Sequence, residues 1–157
     1  MTALPTGFTA LAANLGVKDD SLDFAVIAAD DVATAAAVFT QSRFAGASVV
    51  RSRDHVADGR LRAFAIVSKN ANVATGPDGA AHADALARRV GNLVGCAETD
   101  VLIASTGTIG RPYPPTIFDR LDALDPPADT SADRAAEAIM TTDTHPKVAE
   151  ASLATDD

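Results

Sequence analysis

The 157 residues carry 13 Lys and Arg against 21 Asp and Glu, a formal net charge of −8, and 47% are hydrophobic although only 4% are aromatic. That apolar content excludes a disordered chain and predicts one globular domain over residues 1–157, with a core of Ala, Val, Leu and Ile. The acidic balance and scattered basic residues argue against nucleic acid as a partner, and the lone Cys96 excludes an intramolecular disulfide and a Cys-based zinc site, which fits a reducing, cytoplasmic compartment.

The first 17 residues are uncharged but contain Pro5, Gly7, Asn14 and Gly16 and lack a basic start. They read as neither a signal peptide nor a membrane span, and no element is assigned to them. Segments 23–29 (DFAVIAA), 35–40 (AAAVFT) and 47–51 (ASVVR) read as short strands of a meander, separated by Asp30-Asp31 and by Arg43-Phe44-Ala45-Gly46. A fourth strand, 62–68 (RAFAIVS), follows Asp58-Gly59 and runs into Asn70-Ala71-Asn72.

Ala83, Leu86, Val90 and Leu93 recur at helical spacing and predict a helix ending near Gly95, with Asp84 and Arg88 paired on its outer side and Arg88-Arg89 on a solvated face. The apolar run 101–105 (VLIAS) reads as a core strand that stops in Thr106-Gly107-Thr108-Ile109-Gly110. Pro112 to Pro115 lead into a helix carrying Ile117, Leu121 and Leu124. After Asp125-Pro126-Pro127, Thr130 with Asp133 resembles a capping box, opening a helix whose face is Ala132, Ala135, Ala136 and Ile139. Segment 147–155 (KVAEASLAT) reads either as the start of a further strand or as a frayed tail. Strands first, then helices mixed with one more strand, predict a layered α/β or α+β fold.

Three polar turns are candidates for chemistry. In the first, Gly107 and Gly110 let the backbone approach a ligand and Thr106 offers a hydroxyl donor, which suits a site that stabilises negative charge; the same pattern also describes a plain turn between strand and helix. In the second, Asn70 and Asn72 can cradle a carboxylate, fix the first turn, or satisfy their own backbone. The third, Thr141-Thr142-Asp143-Thr144-His145-Pro146-Lys147, gathers hydroxyls and charge after a helix. His55, His82 and His145 lie far apart without ligand spacing, so each reads as a surface residue and no metal is expected. Cys96 reads as a small buried residue rather than a nucleophile. No G-x-S-x-G elbow, P-loop or G-x-G-x-x-G fingerprint is present.

STGTIG, the Asn-Ala-Asn segment, AVFTQSRFAGA (37–47) and AIMTTDTHPK (138–147) occur in an order that resembles the α-chain region of the ornithine acetyltransferase, or glutamate N-acetyltransferase, family. The resemblance runs from about Gly7 to Lys147. It implies the N-terminal part of that family's fold, a layered sandwich of β-sheets flanked by helices. It further implies a precursor that cleaves itself before a Thr, which becomes the nucleophile of a β-chain and uses its own α-amine as base. Acetyl then passes from N-acetylornithine to glutamate without ATP or another cofactor. The subunits are expected to form an α2β2 heterotetramer, with no membrane partner.

Carried over by position, Thr106 and Gly107 look like the family's oxyanion pair. Thr141 matches a substrate-contacting Thr, with Thr142 as the second choice, and Asn70 and Asn72 match a supporting Asn segment. The family pattern continues beyond this C-terminus through Lys-Gly-x-Gly-Met-Ile to the cleavage site, so the nucleophile is expected on another chain. Ser68-Lys69 stands where the family commonly has Asn-Ser-Gly before Asn-Ala-Asn, a departure resembling the clavulanic-acid-cluster branch that leaves the acceptor open. The alternatives are an amidohydrolase on the same scaffold and a truncated, non-catalytic homologue acting as a binding partner.

Overall fold

A computed structural model describes residues 2–152. Among them, β1 (Phe8–Ala13), β2 (Phe24–Thr34), β3 (Arg60–Val67) and β4 (Val101–Ser105) form one sheet in the order β1-β2-β3-β4. The first three pair antiparallel and β4 joins β3 in parallel. The parallel step requires a crossover, and α2 (Gly76–Val94) supplies it. Two further helices, α3 (Ile117–Asp122) and α4 (Asp133–Ala138), complete a mixed α/β layering with α1 (Ala47–His55). No helix among the described residues is long and apolar enough to cross a membrane.

The pleat sends alternate residues to two faces. On one face Phe24, Val26, Ala65, Val67, Val101 and Ile103 are buried against Leu86 and Val90 of α2 and Ile117 and Leu121 of α3. On the other, strand register lines up the rows Ala10–Ile27–Phe64–Leu102 and Ala12–Ala25–Ile66–Ala104. Helix α4 covers only the β1–β2 end of this second face, through Ala135 and Ala138. Phe64 of β3 is therefore 36% exposed, and Ile66 and Leu102 beside it are only partly buried.

Several sequence expectations are corrected. Segment 47–51, read as a strand, is the first half of α1, because Ser48, Ser52 and His55 must face the free edge of β4. The Ser52 hydroxyl donates to Ile103 O (2.6 Å) and accepts from Ile103 N–H (2.8 Å), and His55 Nδ1 lies 2.8 Å from Val101 O. A helix places those three side chains on one stripe; a strand would not. Segment 35–40 forms no strand and Val38 is fully exposed. Instead β2 runs through Asp30-Asp31 by a register shift between Ala28 and Ala33 and ends at Thr34.

Strand β1 lies where no element was expected, although FTALAA carries the period-two pattern. The i,i+4 partner of Asp84 is not used: Asp84 pairs with Arg51 of α1. Arg89 is not merely solvated, since it bonds Asp122 (3.1 Å) and lies 4.7 Å from the Phe118 ring centroid, tying α3 to α2. At α4 the side-chain contact comes from Ser131, whose Oγ accepts from Asp133 N–H at 3.2 Å, rather than from Thr130. The buried stripe of α4 is Ala135 and Ala138; Ile139 is 39% exposed. Residues 147–152 form no strand, and 153–155 lie outside the described residues.

Candidate active site

The strand β4 ends where its neighbour β3 ends, and the two following loops are laced together. Thr106 N–H donates to Val67 O (3.0 Å), Thr108 N–H to Lys69 O (3.3 Å), Ala71 N–H to Thr108 O (2.9 Å) and Gly110 N–H to Val73 O (2.7 Å). Gly107 sits inside this lacing at φ +127°, and a Cβ there would come within 2.6 Å of Lys69 Cα and 2.7 Å of Asn70 N. Only glycine fits. Neither the Thr106 hydroxyl nor the Gly107 N–H has a hydrogen-bond partner among the described residues, and both residues are exposed. Parallel strands delivering unpaired donors at their carboxyl ends are a common place for a ligand.

Asn70 and Asn72 are each only 1% exposed, and their amides are spent on the loops themselves. Asn70 Nδ2 donates to Arg111 O (2.8 Å) and its Oδ1 accepts from Asn72 N–H (2.9 Å). Asn72 Nδ2 donates to Gly79 O (3.0 Å) and its Oδ1 accepts from Thr75 (2.8 Å), anchoring the start of α2. Lys69, Asn72 and Ala74 all hold positive φ (69°, 42° and 59°). Three non-glycine residues in this conformation within one short loop mark stored strain, which persists only where surrounding contacts over-determine it. Lys69 is held by Asp19 Oδ1 (3.0 Å), Ser21 O (3.1 Å) and the Ser21 hydroxyl. Ser21, followed by Lys69, in turn keeps the Asp19 carboxyl well below the usual carboxylate range.

A cavity of about 780 Å³ opens over these loops, within the range of small-molecule sites. Thr106, Gly107 and Asn70 line it, and so do Thr141 and Thr142, which approach from beyond α4. Four of the six residues singled out in the sequence thus meet at its surface with their side chains or backbone exposed, Asn70 reaches its wall, and Asn72 lies behind. The 141–147 turn is exposed; Lys147, with Thr141 N–H, lowers the Asp143 carboxyl below its ordinary value.

Sequence reasoning did not single out Tyr113, which lines the same cavity and is 5% exposed. Burial pushes its hydroxyl up to about 12, and the Ser105 and Ser48 hydroxyls pull it back without completing a hydrogen bond. His82 is not a surface residue: it stacks on Tyr113 at 5.6 Å and its Nδ1 is buried without a partner. No local pattern announces either, because their partners lie on other elements. His55 is equally engaged, at the β4 edge. Burial raises the thiol of half-buried Cys96, which disfavours the thiolate a nucleophile needs. No group of His, Cys, Asp and Glu among the described residues can hold a metal ion.

A family model described as the ArgJ family matches residues 9–157. The chain is 48% identical over 152 residues to a Streptomyces clavuligerus protein named glutamate N-acetyltransferase Oat2, an alignment covering 95% of this chain and 39% of the relative. It is 41% identical over 156 residues to the arginine biosynthesis bifunctional protein ArgJ 2 of a Nostoc species, covering 94% of this chain and 39% of that protein. The chain therefore spans about two fifths of the curated relatives it matches. Among solved structures, ornithine acetyltransferase of Mycobacterium tuberculosis, complexed with ornithine, superposes with a TM-score of 0.82 at 31% identity, covering 91% of this chain and 81% of that one. An arginine biosynthesis bifunctional protein of Bacillus halodurans gives 0.82 at 30% identity, covering 88% and 74%.

Proposed function

The chain belongs to the ArgJ family, and from that membership we propose that it supplies one wall of the active site of a glutamate N-acetyltransferase. In this reading acetyl moves from N-acetylornithine to glutamate through a Thr nucleophile carried by a separate polypeptide of the same precursor. The Thr oxygen attacks the acetyl carbonyl, the C–N bond breaks, and the hydroxyl proton passes through the nucleophile's α-amine to the departing ornithine nitrogen. The neutral amine of glutamate then attacks the acetyl ester; the C–O bond breaks and the amine's proton returns to the Thr oxygen. Each half passes through a tetrahedral oxyanion.

The observation that carries this reading is the pair of donors without a partner among the described residues, the Thr106 hydroxyl and the Gly107 N–H, on a laced loop that lines the cavity. Donors held in place before charge develops stabilise it without reorganisation. Thr141, with Thr142 beside it, contacts the substrate in this scheme, and Asn70 and Asn72 keep the oxyanion loop in register.

Two observations favour a second polypeptide; the α2β2 stoichiometry of the scheme follows from the family resemblance. Stretches of this chain of nearly equal extent span 39% of the curated relatives but 74% and 81% of the solved chains, so the solved chains are the shorter ones. Among the described residues, nothing fully covers the apolar rows of β3 and β4 on one face, whereas parallel strands are ordinarily buried on both. In the protein assembled with its partner, Thr106→Ala is expected to lower kcat about 10²–10³-fold. Unchanged turnover would remove Thr106 from the oxyanion role. Intact-mass analysis with N-terminal sequencing of purified protein tests the partner: a second polypeptide beginning with Thr is the expected finding.

A further inference from the structure

The cavity that gathers Thr106, Gly107 and Thr141 is cationic. Among the described residues, Lys18, Lys69 and Arg111 line it and no carboxylate does, in a chain whose net charge is −8. Scattered charge on so acidic a molecule would put acidic groups in the lining; with Asp19 set against Lys69, the charge of Lys18 and Arg111 remains and makes a field that favours anions.

The three cations are not equivalent. Lys69 is already compensated by Asp19 and Ser21. Neither Lys18 nor Arg111 has an ion pair among the described residues. Arg111 is fixed at its root: its carbonyl accepts from Asn70 Nδ2, and the preceding Gly110 N–H is bonded to Val73 O. It follows the oxyanion donors on the same laced loop, while its side chain remains exposed. A rooted backbone with an uncommitted guanidinium suits two-pronged capture of a carboxylate.

The proposed reaction, on which this inference rests, uses two amino acids that differ in charge at the far end of the side chain. The donor carries a δ-ammonium there; the acceptor carries a γ-carboxylate. A wall of cations attracts the second and repels the first. We propose that Arg111, assisted by Lys18, binds the side-chain carboxylate of the acceptor, so that this wall selects a dicarboxylic amino acid for the second half of the reaction.

The test compares L-glutamate with its neutral isostere L-glutamine in the full protein assembled with its partner, unaltered and as Arg111→Gln and Arg111→Lys. Calorimetric titration is expected to favour glutamate over glutamine by about tenfold or more in the unaltered protein. Arg111→Gln should collapse that preference, and Arg111→Lys should restore part of it. In steady-state kinetics Arg111→Gln should raise the ratio of the glutamate KM to the N-acetylornithine KM by about the same factor. Lys18→Gln should act in the same direction with a smaller effect. Equal affinity for the two amino acids, or a ratio that Arg111→Gln leaves unmoved, would overturn the proposal. An unaltered protein that binds glutamate selectively but transfers no acetyl would instead refute the acetyltransferase reading and leave the carboxylate subsite standing.

Discussion

At the residue scale, the site depends on a few positions where no substitute fits. Gly107 is the clearest, because an added Cβ meets backbone atoms of Lys69 and Asn70 that no side-chain rotation can move away. Gly107→Ala is expected to disorder the laced loop and abolish the proposed acetyl transfer while the helices remain folded; near-normal turnover with an unchanged circular dichroism spectrum would contradict the crowding. Tyr113 gives a second prediction. It is the one Tyr of a chain without Trp, so phenolate absorbance of this chain reports it alone, and ionisation is expected at about 12 rather than the ordinary value near 10. The folded pKa lies above the unfolded one, so the protonated fold holds its full stability below about pH 10 and loses it as pH rises towards about 12. Tyr113→Phe should flatten that alkaline decline in a denaturant series taken across pH.

At the scale of elements, α1 works as a side-chain cap on an exposed sheet edge. The free edge of β4 would otherwise offer unpaired groups to another strand. Ser52 answers both the N–H and the C=O of Ile103 with one hydroxyl, and it is 1% exposed. Ser52→Ala leaves both groups buried and unsatisfied, so a loss of about 1–3 kcal/mol is expected, read as a lower midpoint in urea unfolding. A shift within error would mean that water replaces the hydroxyl. The helical expectation for 83–95 held because apolar residues recur at 3.6 along α2 and Gly95 ends it at φ +73°. The strand expectation for 47–51 failed because Val49 and Val50 favour a strand locally, whereas the buried partners of Ser48 and Ser52 lie more than fifty residues away.

At the scale of the whole molecule, the described residues finish the sheet on one face and leave it partly open on the other. Phe64 is central to the open face, between Ile27 and Leu102 in register. Phe64→Glu is expected to leave the secondary structure of this chain intact and to weaken its association with the proposed partner polypeptide, seen as dissociation in analytical ultracentrifugation. An assembly as tight as the unaltered one would place the partner elsewhere. The cavity shows the same dependence on large-scale arrangement: Thr141 and Thr142 come to it from beyond α4, while Thr106 and Gly107 come from the end of β4.

The sequence alone determined the elements whose signal is local: the β4 run and the glycine turn after it, the α2 stripe with its glycine stop, and the order of polar turns that carries the family resemblance. These are legible because a repeating apolar period and a forced backbone conformation are properties of neighbouring residues. Tertiary structure decided the rest. It made 47–51 a helix by giving its serines a strand edge to satisfy, drew β1 to the edge of β2, and turned Asn70 inward to anchor Arg111. It also brought three cations and two free donors to one cavity. Each of those outcomes is set by groups distant in sequence, whose burial and hydrogen bonds outweigh the tenths of a kcal/mol that local propensity contributes.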